Sequence, residues 1–338
     1  MPARLTRRTL LAATAALGLT GMPALAQDQS ITVMIWGTTW QLAFEQIAAD
    51  FTEKTGVGVN LLSQANSGES LAKLQAQRGN PGVDVWFTTS SVANRAVKDD
   101  GLFAQMPLES MPNTGHMVEG SFTDGWVAAY AYPLGIVWRP DMVEGEITSW
   151  EDLWDPKFAN MLAVPAPSTY QGRIVLVAAE LAGGSIDDVE PGIEKLGELS
   201  PNVAFWYTSD AQARQALATG EVSVLVSPPS GAKTVRNEGV EVKMISPKPA
   251  PMMYDVMTLV KNGKEDLAAQ FINYAVSPEA QQIVAENLQN MPVNVDAAVP
   301  EALASQYPKP GDTVSYDEDK VNANYDSWNE TFQMSVAQ

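Results

Sequence analysis

The 338-residue sequence contains no cysteine and one histidine. Without cysteine there is no disulfide, no thiolate nucleophile and no sulfur-ligated metal. The single histidine, His116, lies in the polar loop NTGHMVEG with no Ser or Asp partner nearby, and reads as a surface residue. G-x-S-x-G, H-E-x-x-H, Walker and dinucleotide glycine motifs are all missing. The acidic clusters Asp187-Asp188 and Asp317-Glu318-Asp319 lack the spacing and glycine of a calcium loop. The expectation is no catalytic residue, no metal and no cofactor. Basic side chains are also scarce, 21 against 40 acidic, for a net charge of −19. Such a surface repels phosphate backbones, so nucleic acid is not an expected partner.

Long apolar runs are missing too. Leu10–Leu19 is too short for a membrane anchor in a mature chain. It follows Arg4, Arg7 and Arg8 and precedes Ala24-Leu25-Ala26, the order of an export signal cleaved after Ala26. The stretch TRRTLLA fits a twin-arginine signal as well as an ordinary one. Residues 1–26 are therefore expected to be removed, leaving a soluble, acidic, periplasmic protein. The remaining length, about 310 residues, usually makes two domains.

What is present is alternation. VMIWGTTWQLAFEQIAADFTEKTG, Val33 to Gly56, begins as a β-branched strand, breaks at Gly37 and resumes as a helix. Phe44, Ile47, Ala48 and Phe51 mark one face of that helix and Gly56 ends it. VGVNLLS, GESLAKLQAQRGN, VDVWF and SSVANRAVKDDG continue as strand, helix, strand, helix. After the broken run WVAAYAYPLGIVW and a stretch predicted helical, SWEDLWDPKFAN, the alternation resumes: MLAVPA strand, YQGRIVLVAAELAGG helix, DAQARQALATGE helix, VSVLVS strand, PSGAKTVRNEG helix, VEVKMIS strand. MYDVMTLVKNG reads as a late strand, followed by helices over 264–276 and 278–288. The class is α/β with largely parallel sheets. Two crossings, near Tyr132–Val137 and Pro249–Met257, predict two lobes joined by a hinge with a cleft between them. The lobes are drawn as 27–133 plus 256–300, and 134–255 plus 301–338.

Strand-to-helix junctions carry hydroxyl residues: Thr38 and Thr39 in the first, Thr89 and Ser90 after VDVWF, Ser168 and Thr169 in APSTYQG, and SPPSG after Val226. Each alone reads as helix capping. Together, at the carboxyl ends of strands, they read as a ligand site. Trp36 and Trp40 stand on the first junction, where they offer an apolar wall or a π-face for a cation. Alternation within VDVWF leaves Trp86 between core and cleft, nearer the core. Tyr170 and Tyr254 hold comparable positions in the second half. Asp255 interrupts the apolar strand MMYDVMTLV, so either an internal Arg or Lys pairs with it or a ligand amine does.

The segments FTEKTGVGV, ESLAKLQAQ, VDVWFTTSS, ITSWEDLWDPKFANML, ATGEVSVLVSPPSGA, FINYAVSPEAQQIVAE and MPVNVDAA resemble the periplasmic solute-binding proteins of ABC importers. The likeness is to the branch with spermidine/putrescine-binding, iron(III)-binding and phosphonate-binding members. It implies a two-lobed periplasmic binding protein fold of type II strand order, closing by a hinge on one small-molecule ligand. It also implies a monomer that partners the membrane subunits of an ABC permease. Carried over by position, it places Trp36 and Trp40, Thr89 or Ser90, Ser209 and Asp255 at the ligand. Ser168, Thr169 and Gly172, Pro228 and Asn290 depart from the polyamine pattern, and the second-lobe carboxylate for a distant amine is missing. The reading is thus a receptor for a small, polyamine-like amine. The alternatives are a short zwitterion (amino acid, betaine or aminophosphonate), with its anionic group at the Ser168–Gly172 helix start, and, in another class, an exported enzyme on a similar fold. Import and sensing use the same cleft.

Overall fold

The computed structural model describes residues 29–336 apart from 38, 100 and 310; the leader read over 1–26 and Thr38 lie outside the described residues. The first half runs β1 (Ser30–Trp36), α1 (Thr39–Thr55), β2 (Gly58–Gln64), α2 (Ser67–Ala76), β3 (Val85–Thr89), α3 (Ser90–Ala96), β4 (Phe103–Ala104) and β5 (Val127–Pro133). It continues with β6 (Gly135–Trp138), β7 (Leu162–Pro165), α4 (Arg173–Leu181), α5 (Glu190–Leu199), β8 (Val203–Tyr207), α6 (Asp210–Thr219), β9 (Val224–Ser227), α7 (Pro229–Asn237) and β10 (Lys243–Ile245). The chain closes with β11 (Ala250–Val260), α8 (Glu265–Ala275), α9 (Pro278–Leu288), α10 (Glu301–Ala304), β12 (Thr313–Val314) and α11 (Glu318–Ser335).

Two sheets follow from this order. The first reads β2-β1-β3-β11, with β5 on the far side of β11; the second reads β8-β7-β9-β6-β10. Each has three parallel strands, then an antiparallel strand that arrives from the other lobe, then one more, which is the type II order the resemblance implies. The spacing argument for α1 holds in space: Phe44, Ile47, Ala48 and Phe51 are all buried, and Phe44, Ile47 and Phe51 enter the first core. Asn66, Ser209 and Ser277 each accept from a backbone N–H three residues on, capping α2, α6 and α9.

The expected crossings are β5 to β6 and β10 to β11. A third follows β12, which pairs with the start of β11 in the first sheet before α11 packs on the second lobe. Residues 250–255, grouped with the second lobe from the sequence, hydrogen-bond within the first sheet as part of β11.

Local departures have local causes. SWEDLWDPKFAN forms two 3₁₀ turns rather than a helix. Pro156 interrupts it, and Asp152 turns back to accept from the N–H groups of Thr148 and Ser149 at 2.7 and 3.0 Å. The helix expected from Tyr170 begins only at Arg173, because Tyr170 and Gln171 hold φ of 53° and 46°. β8, which the sequence pattern did not single out, pairs with β7 at the sheet edge.

One glycine carries a close helix crossing. A Cβ on Gly192 of α5 would lie 2.4 Å from the Ala179 nitrogen and 2.8 Å from the Val175 carbonyl of α4. Backbone atoms cannot yield, so the helices must separate. Gly192→Val is expected to destabilise the protein by about 2–4 kcal/mol, read from the urea midpoint. An unchanged midpoint would contradict the crossing.

Candidate functional site

The site grows from a bulge in β5, where that strand pairs with β11. The register slips between Asp255 and Val256, so Ala129 of β5 is the extra residue, with no partner across the pair. The Ala129 carbonyl instead accepts from Gln281 Nε2 at 2.8 Å. A bulge re-aims the side chains beside it, and here Asp255 points into the space between the lobes, 7 % exposed. Three donors reach its carboxylate. Trp36 Nε1 and the Tyr130 hydroxyl donate to Oδ2 at 3.0 and 2.5 Å, and the Tyr132 hydroxyl donates to Oδ1 at 3.3 Å. No ion pair among the described residues includes Asp255. The internal cation that the sequence left open is therefore not what balances it.

Burial pushes the Asp255 carboxyl up to about 6, more than the hydrogen bonds from Tyr130, Trp36 and Tyr132 pull it down. Burial and the neighbouring carboxylate hold the Tyr130 and Tyr132 phenols well above the usual tyrosine range, so both stay protonated donors. A ligand ammonium needs Asp255 ionised. Affinity for an amine is therefore expected to be flat above pH 7 and to weaken by roughly tenfold per pH unit below about 6. Calorimetric titration from pH 5 to 8 checks this; a flat profile would remove Asp255 from the contact.

Two connected spaces meet at Asp255. An open vestibule of about 460 Å³ is lined by Trp36, Gly37, Trp40, Gln64, Ala65, Thr89 and Asp255. A more enclosed cavity of about 150 Å³ is lined on the first-lobe side by Trp40, Tyr130, Tyr132 and Asp255. From the second lobe come Tyr170, Asp210, Arg214 and the start of α7. Liquid water takes roughly 30 Å³ per molecule, so the cavity alone suits about five non-hydrogen atoms.

The residues expected at the site divide. Trp36, Trp40, Thr89, Tyr170 and Asp255 line one or both spaces. Thr39 starts α1 beside them. Ser90 is buried and donates to Glu318 at 2.8 Å. Ser168 is exposed, and Thr169 donates to the Tyr207 carbonyl at 3.2 Å. Ser209 is the exposed cap of α6. Tyr254, next to Asp255 on a strand, projects to the opposite face and packs near Trp126 at 6.5 Å between ring centroids. Trp86 is fully buried, its Nε1 donating to Gln64 and Ser70 at 3.0 Å each, which makes it core.

Four cavity residues were not anticipated. Tyr130 and Tyr132 alternate in AYAYP and so share a face, a signal that was legible. Asp210 and Arg214 are four apart on α6, hence on one helix face. Asp210 is a second-lobe carboxylate, which the sequence reading held to be missing; it accepts from the Tyr170 hydroxyl at 2.6 Å. Arg214 has no carboxylate within ion-pair distance among the described residues. Beside it α7 begins at Pro229 with no side-chain cap, leaving the positive end of its dipole on the cavity. The helix start at Ser168–Gly172 is instead closed off: a Cβ on Gly172 would lie 3.0 Å from Trp328.

Comparison with known proteins gives one consistent result. The family described as bacterial extracellular solute-binding protein matches residues 46–309. The chain is 25 % identical over 282 residues to the gamma-aminobutyric acid-binding protein of Pseudomonas aeruginosa, covering 80 % of this chain and 79 % of that one. It is 24 % identical over 294 residues to the spermidine/putrescine-binding periplasmic protein of Salmonella typhimurium, covering 83 % and 82 %. A crystal structure described as a putative extracellular solute-binding protein from Bordetella parapertussis superposes with a TM-score of 0.82 at 24 % identity, over 92 % of this chain and 100 % of that one.

Proposed function

The chain belongs to the bacterial extracellular solute-binding protein family, the solute receptors of ABC transporters, and from that premise we propose that it captures a short zwitterion bearing an amine. The lobes close on the ligand, and the loaded monomer hands it to a membrane permease from the periplasm. The carrying observation is one cavity with an unpaired buried carboxylate on the first lobe and an unpaired guanidinium on the second. The ligand ammonium takes the free lone pair of Asp255 Oδ1, whose one protein donor stands at 3.3 Å. Trp40 and the two tyrosines present ring surface to the cation. The ligand's carboxylate or phosphonate meets Arg214 and the start of α7. A short chain fills the cavity and can extend past Asp255 toward the vestibule. The ligand named for the Pseudomonas aeruginosa relative is of this class.

Asp210 supports a second reading, a diamine spanning Asp255 and Asp210, the class named for the Salmonella typhimurium relative. The first is favoured because Asp210 already accepts from Tyr170, whereas Arg214 has no carboxylate within ion-pair distance among the described residues. A thermal-shift screen of ligand-stripped protein with 4-aminobutanoate, 2-aminoethylphosphonate, glycine betaine and putrescine separates the two. A ligand at a hundred times its Kd adds about 2.7 kcal/mol of stability. A shift with the zwitterions alone is expected; a shift with putrescine alone transfers the site to the second reading. Chemical turnover of any of them would overturn a pure capture role.

A further inference from the structure

Helix α11 is held to the two lobes by different forces. Toward the second lobe it is apolar. Val321 and Trp328 are buried with Leu176, and Phe332 enters the second-lobe core, its ring edge-on to Trp206 at 4.8 Å. Toward the first lobe, neither core cluster includes a described residue of α11. Among the described residues the side-chain hydrogen bonds and ion pairs there fall on α3 and on Lys98, two residues past its end. Ser90 Oγ donates to Glu318 Oε1 at 2.8 Å. Asn322 Nδ2 donates to the Ser91 carbonyl at 2.8 Å and Arg95 Nη1 donates to Asn322 Oδ1 at 3.1 Å. Lys98 pairs with Asp319 at 3.2 Å. Glu318 Oε1 also accepts from Arg173 Nη2 at 2.8 Å, at the start of second-lobe α4. One carboxylate oxygen therefore joins a first-lobe hydroxyl to a second-lobe guanidinium that is 1 % exposed.

This asymmetry decides what moves. Exposing Trp328 and Phe332 at every opening would cost the full burial of two large rings. Hydrogen bonds and surface ion pairs exchange with water at small net cost. The helix must ride with the second lobe while its seam with α3 parts and re-forms. Residues 315–317, between β12 of the first sheet and α11, supply the pivot. Ser90 follows Thr89 of the vestibule directly, so the seam lies at the rim of the site.

We infer that α11 is a clasp: closure seats α3 on it, and Glu318, a positioning residue outside the ligand cavity, completes a Ser90–Glu318–Arg173 bridge that favours the closed form and slows ligand release. This rests on the reading of the protein as a cleft-closing receptor.

The test uses the quadruple variant Ser90→Ala, Arg95→Ala, Lys98→Ala, Asn322→Ala, which leaves Glu318 on Arg173 and the apolar face intact. Because the chain has no cysteine, spin labels attach only at introduced Glu53→Cys and Glu198→Cys, both exposed and one on each lobe. In the ligand-free protein the variant is expected to lose short inter-lobe distances that wild type samples, with its melting temperature unchanged. With 4-aminobutanoate as probe, dissociation is expected to quicken about tenfold. Distances that the variant leaves unchanged overturn the clasp. So does a melting temperature lowered as far as by Phe332→Ala, which would make the seam structural. If 4-aminobutanoate fails to bind wild type, the ligand reading fails, and the ligand-free distances still decide the clasp.

Discussion

Asp255→Asn is expected to abolish ligand capture and, at the same time, to stabilise the ligand-free protein at neutral pH. The binding effect comes from removing the one charge that balances the ammonium inside a closed cavity. Truncating one partner of a buried charge pair costs about 3–5 kcal/mol, or 10²- to over 10³-fold in Kd. The stability effect has the opposite sign. The carboxyl stands at about 6 in the fold against about 3.9 in an unfolded chain. Below the unfolded value both states are protonated and nothing is lost. As pH rises through 4 to 6 the unfolded chain releases its proton first, and stability falls by up to about 3 kcal/mol, remaining lower above that. The amide has no proton to lose, and its oxygen still accepts from Trp36 and Tyr130. Thermal melts of both proteins at pH 4 and pH 7.5 should therefore nearly coincide at the acid end and separate at neutral pH, with the variant higher. A variant that melts lower at pH 7.5, or that still shifts with ligand, would show that Asp255 is a structural acceptor. The wild-type chain thus accepts instability at this carboxylate, of the kind expected where a group is kept unpaired for a ligand.

Arg214→Met is the second large effect. Met keeps the length and apolar stem of the side chain and removes the charge. A charge-assisted hydrogen bond to a carboxylate contributes about 1.5–3 kcal/mol, so affinity for 4-aminobutanoate should fall roughly 10- to 150-fold. Putrescine has no anionic end, and the loss of a nearby cation should improve its binding beside Asp210. The ratio of the two affinities, measured by calorimetry on both proteins, should shift toward the diamine. Equal losses for both ligands would place Arg214 in a merely structural role. Gains for putrescine without losses for 4-aminobutanoate would move the anionic group to the start of α7 alone.

The elements that carry strong local signals were legible in the sequence. The buried stripe of α1, the glycine after it and the late strand around Asp255 depend on side-chain period and backbone preference within a few residues. Trp36, Trp40 and Asp255 stood out because each is the wrong residue type for its local setting. A strand-end loop does not need two indoles, and an apolar strand does not need a carboxylate.

What the sequence could not decide were questions of aim and pairing. Tyr254 and Asp255 are adjacent, and only the register of β11 against β3 and β5 sends one to the core and the other to the cleft. Ser90 and Thr89 are adjacent, and only the arrival of α11 from 228 residues away turns Ser90 to Glu318. Asp210 and Arg214 did not stand out within the helix DAQARQALATGE, because nothing local distinguishes a face on water from a face on a second lobe. Periodicity indicated a two-lobed α/β fold with an acidic residue at its crossing, and the resemblance carried by its motifs implied a receptor. The tertiary structure alone decided which charges meet across the cavity, since charge pairing depends on distances of a few ångströms that chain order does not encode.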